Sequence, residues 1–260
     1  MSAPKISLII STYQSPAALE KVLQGVLVQT QRPHEVLIAD DGSGAPTREL
    51  VEGWQSRLPL RHIWHEDQGF RKTIILNQAV AAATGEYLVL LDGDCVPHAE
   101  FIRDHGALAE KNYWVQGRRC FVQEKFVPEF MPGKIRVGSW CLSGRITGVA
   151  KAFRLPFPMV RRNRKHRGII GCNMAFWRED LIAVNGFDEE YTGWGGEDSD
   201  LGARLYHLGR TRKFVYGWAV IYHLNHPQLP KAHVSASLEI LRRTIASGKT
   251  RCQRGLEQYL

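Results

Sequence analysis

Three short clusters carry carboxylates in arrangements that chemistry can use. Asp92-Gly93-Asp94 follows the apolar run 87–91. Two carboxylates one residue apart at a strand end can hold a hard divalent ion and a sugar hydroxyl together, and the glycine between them lets the backbone turn tightly. Asp40-Asp41-Gly42-Ser43 follows the run 35–39. Its acids can accept hydrogen bonds from a base N–H or ribose hydroxyls, although the same residue types also build a turn and a helix cap. Gly193-Trp194-Gly195-Gly196-Glu197-Asp198 combines glycines that admit a ligand, an indole face suited to a sugar ring, and acids at the start of a predicted helix. A carboxylate there can take a proton from an incoming hydroxyl. Two further segments supply other chemistry. His223, after an apolar strand in Tyr222-His223-Leu224-Asn225-His226, is a candidate third metal ligand or a structural histidine. Gly69-Phe70-Arg71-Lys72, at a predicted helix start, can bind phosphate or stack a base.

The elements that must position these groups alternate in type. Strand patterns at 5–11, 35–39, 60–64 and 86–91 alternate with helix patterns at 16–27, 47–56, 73–83 and 98–111. Ser15 and Pro16 read as the cap and first residue of the first helix. Single strands are expected at 114–122 and 213–224, helices at 179–184, 198–208 and 233–246. The β-α-β-α order implies a mainly parallel sheet covered on both faces. Such sheets bind ligands at the carboxyl ends of their strands, so Asp40/Asp41 and Asp92/Asp94 are expected to face one crevice.

With 260 residues and 23% charged residues, the chain reads as one soluble α/β domain, 1–260. Within it, 1–122 forms a nucleotide-binding half, 168–227 an acceptor and catalytic half, and 228–260 a helical tail. Residues 130–177 contain no acid, and the basic run 130–167 reads as an insertion with interleaved aromatics. The net charge of +8 points to anionic partners: nucleotide diphosphates, nucleic acid or an anionic membrane surface. Five scattered cysteines without a CxxC pair argue for reduced thiols. The N-terminal apolar stretch is too short for a signal or a span, so a cytoplasmic protein is expected, peripheral on the inner membrane if 130–167 contacts lipid.

Taken together, SLIISTYQ, EVLIADDGS, DQGFRKTIILNQAV, GEYLVLLDGDCVP, GCNMAFWREDLIAVNGFDEEYTGWGGEDSDLGARL and VIYHLNHP resemble the family 2 glycosyltransferases of GT-A fold. The resemblance is to the branch sharing a C-terminal motif with β-1,4-galactosyltransferases and chondroitin-type polymerases. It implies a Rossmann-like three-layer sandwich and an inverting, metal-dependent transfer from a UDP-sugar, with Mn²⁺ or Mg²⁺ as cofactor. It places Thr12, Tyr13 and Asp40 around the uracil, with Asp41 in the same element. Asp92 falls near the ribose, and Asp94 and His223 on the metal. Asn173 falls at the donor sugar pocket, Asp198 matches the general base, and Glu197 and Trp194 match acceptor and sugar contacts. Phe70 and Lys72 join the donor set, although Ile74 replaces a second basic residue common in relatives. The acceptor implied is a glycan or glycolipid of bacterial surface polysaccharide or lipopolysaccharide. Two other readings compete. A sugar nucleotidyltransferase would need a glycine-rich basic signature near the N-terminus, where 11–14 read Ser-Thr-Tyr-Gln. A nucleic-acid-binding protein would use 130–167 but leaves both acidic clusters unexplained, so nucleic acid is not an expected partner.

Overall fold

The computed structural model describes residues 4–193, 195–226 and 234–260. An eight-stranded sheet runs through the molecule in the order β3-β2-β1-β4-β10-β6-β11-β9. Its strands are β1 (Ile6–Thr12), β2 (Glu35–Asp40), β3 (Leu60–Trp64), β4 (Tyr87–Asp92), β6 (Tyr113–Gln116), β9 (Met159–Asn163), β10 (Asn173–Trp177) and β11 (Thr211–Tyr216). Six strands share one direction, while β9 and β10 run against their neighbours. A second sheet, in the order β5-β12-β7-β8, joins β5 (Cys95–Pro97), β12 (Ile221–Leu224), β7 (Arg119–Val122) and β8 (Ile146–Thr147).

Alternation along the strands sends side chains to two cores. Leu8, Ile10, Val36 and Ile38 pack with α1 (Pro16–Leu27), α2 (Ala45–Trp54) and α4 (Phe101–Leu108). Ile9, Leu37, Leu90 and Phe176 pack with α3 (Lys72–Ala82), α6 (Arg178–Ala183) and α7 (Glu197–His207). The three layers and mainly parallel sheet match the GT-A expectation. Each fully buried aliphatic chain contributes roughly 1.5–3 kcal/mol, and the runs are nearly continuous in apolar residues because both faces of the sheet are covered.

Several expectations need correction. Ser15 occupies the cap position of α1 but makes no side-chain capping bond. The single strand expected at 114–122 is two strands in different sheets. Gly117 lies at the break, where an added Cβ would stand 2.2 Å from the Asn173 amide. The strand expected at 213–224 also divides, at Gly217 and Ala219, both of positive φ. The basic segment is woven into the scaffold: β8 pairs with β7, and β9 extends the main sheet beyond β11. It also carries the short helix α5 (Val137–Leu142), whose Trp140 packs edge-on against Phe130. The region after 233 is more than a tail. Helix α8 (Val234–Ser247) lies on α7, and Cys252 and Leu256 are buried beyond it. All five cysteines are free thiols.

Candidate active site

Strand β4 delivers Asp92 to the carboxyl edge of the sheet. Gly93 then donates its N–H to the Ser11 carbonyl at 2.7 Å. A Cβ at this glycine would stand 2.8 Å from that same oxygen, so no side chain fits. The tight turn aims Asp94 at β12, where Cys95 pairs with His223. His223 Nε2 lies 3.5 Å and His226 Nε2 3.0 Å from Asp94 Oδ2. One ligand atom from each of the three side chains falls within a 4.8 Å group. Burial works to raise the Asp94 pKa, but the His226 hydrogen bond and the charge of His223 outweigh it and hold the carboxyl at about 2. Burial draws the His223 pKa below its ordinary value, which favours the neutral imidazole a metal needs. One ionised carboxylate and two imidazoles suit a first-row divalent ion such as Mn²⁺ better than Mg²⁺, which prefers oxygen.

The second cluster gathers at the start of α7. Gly195 and Gly196 have φ of +99° and +96°, a left-handed pair that non-glycine residues rarely adopt. This bend turns Glu197 and Asp198 toward the same sheet edge. Asp198 lies against Gly171, where a Cβ would stand 2.2 Å from its carboxylate. Ser11, Lys72, Asp92, Gly171, Phe187 and Asp198 line one narrow cleft. Lys72 Nζ meets Asp92 Oδ1 at 2.7 Å, and Ser11 Oγ donates to the same oxygen at 2.9 Å. Burial and then the neighbouring Glu197 push the Asp198 pKa up to about 8, against the pull of Lys72. Burial also raises Glu197, which is 4% exposed and has a buried Oε2 without a hydrogen-bond partner. Lys72 is held protonated by Asp92, Asp198 and Glu197 in spite of its burial.

The expected donor residues divide. Tyr13 is 49% exposed, its hydroxyl donating to Asp67 at 3.0 Å, and Phe70 is half-buried nearby in sequence from Lys72. Thr12 Oγ1 is buried and unpartnered beside Gly93. Asp40, however, is wholly buried: it accepts the Ser43 N–H at 2.9 Å and bonds His62 at 2.9 Å. With both oxygens engaged and no exposed surface, Asp40 fixes the turn after β2. Asp41 likewise engages both oxygens, with His65 at 2.7 Å and the Arg71 N–H at 3.0 Å. Asn173 is also fully enclosed. It bonds His105 at 3.1 Å and donates to the Ala219 carbonyl at 2.8 Å, bracing the junction of the sheets instead of lining a sugar pocket. Trp194 lies outside the described residues.

Sequence reasoning overlooked several contributors. His226 stood inside a noted motif, and its proximity to Asp94 depends on the turn after β12. His62, on β3, and His65, just after it, bond Asp40 and Asp41 beside the β2–β3 pair, with no local signal of these partners. Asn77, on the same helix as Lys72, donates to the Phe187 carbonyl at 2.9 Å and accepts the Phe187 N–H at 2.8 Å. It thereby ties the cleft wall to α3. Arg119 reaches Cys172 Sγ at 3.5 Å, beside the Asp92 charge.

Comparison with known proteins identifies the family and the fold. Residues 7–184 match the family model described as glycosyl transferase family 2, and residues 151–227 match the N-terminal domain of galactosyltransferase. The chain is 28% identical to validoxylamine A glucosyltransferase of Streptomyces hygroscopicus subsp. limoneus over 79% of its length and 49% of that protein. It is 27% identical to chondroitin synthase of Escherichia coli over 85% of its length and 35% of that protein. The chain thus spans half or less of the length of these relatives. S. aureus TarS 1-349 in complex with UDP-GlcNAc superposes with a TM-score of 0.67, covering 98% of this chain and 69% of that one at 17% identity. A Pyrobaculum calidifontis mannosyltransferase in complex with GDP-Man and Mn²⁺ gives 0.56 over 93% and 61%, at 22% identity. With its family model spanning most of the described chain and its sheet built on the same plan, this chain belongs to glycosyl transferase family 2 and has the GT-A fold.

Proposed function

We propose that the chain moves a hexose or N-acetylhexosamine from a UDP-sugar to an acceptor hydroxyl with inversion at the anomeric carbon. The observation that carries this reading is that Asp94, two residues from Asp92, gathers His223 and His226, while Asp92 and its partner Lys72 line one cleft with Asp198. Asp94, His223 and His226 would hold the cation. A divalent ion bound there supplies positive charge that offsets the negative charge building on the diphosphate. Lys72 adds a second fixed cation to the cleft. Asp198 takes the acceptor proton as the acceptor oxygen bonds to the anomeric carbon, and the bond from that carbon to the diphosphate oxygen breaks, its electron pair leaving with UDP. Attack from the face opposite the leaving group turns an α-linked donor into a β-glycoside. Glu197, with its unpartnered oxygen, is placed to accept an acceptor hydroxyl.

Similar solved structures support a nucleotide-sugar donor: one neighbour is in complex with UDP-GlcNAc, another with GDP-Man and Mn²⁺. We read the acceptor as a glycan or glycolipid of bacterial surface polysaccharide or lipopolysaccharide. We read residues 1–260 as one catalytic unit with its donor half at 1–122 and acceptor half at 168–227. Within the segment 130–167, the stretch bearing Leu142 and Phe157 is read as the part that faces an anionic membrane. Leu142 is 93% and Phe157 82% exposed within this acid-free stretch, and among the described residues no helix is long and apolar enough to cross a membrane. The test follows UDP release from a panel of UDP-sugars with Mn²⁺, with and without glycolipid acceptors. Turnover should require metal and vanish in Asp94→Ala. Full activity in excess EDTA, or no turnover of any UDP-sugar, would overturn the reading.

A further inference from the structure

A second functional feature stands at the far end of the same sheet edge. Phe214 and Tyr216, on β11, are half-buried and meet edge-to-face at 5.1 Å. The Arg118 guanidinium lies 4.9 Å from the Phe214 centroid and 5.4 Å from that of Tyr216. Arg212 lies 5.4 Å from the same Phe214 ring. Across the β9–β11 pair, exposed Arg161 stands directly opposite Phe214, so its side chain shares that face. Two guanidinium groups therefore lie over one ring, and a third arginine shares that face of the sheet. None of the three has a carboxylate partner among the described residues. Arg212 is only 3% exposed, yet its partners are neutral oxygens of Gln116, Asn163 and the Arg167 backbone, and its Nε has none. Arg118 Nε is also buried and unpartnered.

Like charges repel, and the aromatic faces offset only part of that cost. A bound anion would offset the rest. A guanidinium laid flat on a ring presents its N–H fork sideways, a geometry matched to the paired oxygens of phosphate or carboxylate. The position of the platform ties it to the cleft. Arg118 is followed by Arg119, whose side chain reaches Cys172 near Asp92. The segment 168–171 spans the gap: Gln116, beneath Arg212, donates to the Gly168 carbonyl, while Gly171 abuts Asp198.

We propose that Arg118, Arg161, Phe214 and Tyr216 form an acceptor subsite for an anionic glycan, one carrying a phosphate or carboxylate close to the hydroxyl to be glycosylated. This inference rests on the reading of Asp198 as the base, because that reading puts the acceptor on this side of the cleft. Arg118 and Arg161 hold the acidic group, the 168–171 run supports the sugar between, and the free hydroxyl is set at Asp198.

The full chain, with UDP and Mn²⁺ present, is titrated with three probes: a uronate-bearing hyaluronan tetrasaccharide, maltotriose 6-phosphate, and neutral chitotetraose. At least one anionic probe should bind about tenfold or more tighter than the neutral one, the gain of a single charge-assisted contact, and the stronger anionic probe names the acidic group. Arg118→Gln and Arg161→Gln should each erase most of that preference, and rising salt should weaken it. Arg161 is exposed, so its variant carries the test if Arg118→Gln unfolds. Equal binding of all three probes by the wild type, or full preference in both variants, would overturn the subsite. So would binding of phosphatidylglycerol vesicles, lost in Arg161→Gln, where no glycan probe is preferred, since that assigns the platform to lipid. UDP binding is measured in the same samples. Its absence would strike the donor reading, whereas intact UDP binding without anion preference strikes the subsite alone.

Discussion

Asp40-Asp41 and Glu197-Asp198 are both adjacent acid pairs at the carboxyl edge of one sheet, yet they are solvated by the protein in opposite ways. Around Asp40, burial is outweighed by His62 and by the Ser43 N–H, and its pKa falls below the ordinary carboxylate range. Asp41 keeps a raised pKa but spends both oxygens on His65 and Arg71. At Glu197-Asp198 burial wins, Lys72 answers only part of it, and a Glu197 oxygen is left unpartnered. An acid whose hydrogen bonds are complete holds a turn in place. One held in an unfavourable protonation balance with bonds to spare is ready to exchange a proton.

The sharpest test of this contrast is Asp198→Asn, which should lower the transfer rate by about 10²–10⁴-fold, the usual worth of a general base. Unchanged single-turnover rates would remove Asp198 from the role and collapse the comparison. A smaller effect is expected from pH. The base must be ionised, so the rate should climb as pH rises through about 8 and then level off. The sign for stability is opposite. With its folded pKa above the unfolded one, Asp198 retains its proton in the native state between the ordinary carboxylate range and about 8, so its contribution to stability falls as pH rises across that window. Asp198→Asn should flatten that slope in thermal melts, and an unaltered slope would assign it to another group. The smallest effect on turnover belongs to Asp40→Asn. It should cost about 1–3 kcal/mol of stability through His62 and Ser43, read by denaturant titration. A rate loss as large as that of Asp198→Asn, at unchanged stability, would erase the distinction between the pairs.

The parts of the fold legible in the sequence were those written in local pattern. The runs at β1, β2 and β4 are mostly apolar and buried along nearly their whole length because both faces are covered, and β2 and β4 end in the acids that mark the carboxyl edge. The positions of Asp94 and Asp198 follow from those endings and from the glycine pair before α7. What was not legible depends on partners remote in the chain. Nothing beside Asp40 announces His62, and nothing beside Asn173 announces His105 and Ala219. The division of 114–122 and 213–224 between two sheets had a cue in Gly117 and Gly217, but the reason for the first glycine is the Asn173 side chain that crosses it. The arginine–aromatic platform was hidden for the same reason: Arg118, Arg161 and Phe214 meet only once β9, β6 and β11 are in register.

Residues 252–258 have a consequence for how the protein is made. The Cys252 thiol donates to the Asn185 carbonyl at 3.2 Å, Leu256 fills the core beneath α3, and Gln258 donates to Glu189 at 3.1 Å, while Glu189 also receives Asn77. The wall that carries Phe187 into the cleft is therefore braced by residues translated long after the sheet. During vectorial synthesis the nucleotide side can assemble on the ribosome, but the catalytic edge stays unbraced until Gln258 has emerged. A nascent chain stalled short of that point would hold nearly every chemical group of the enzyme and still lack the wedge that keeps them in alignment.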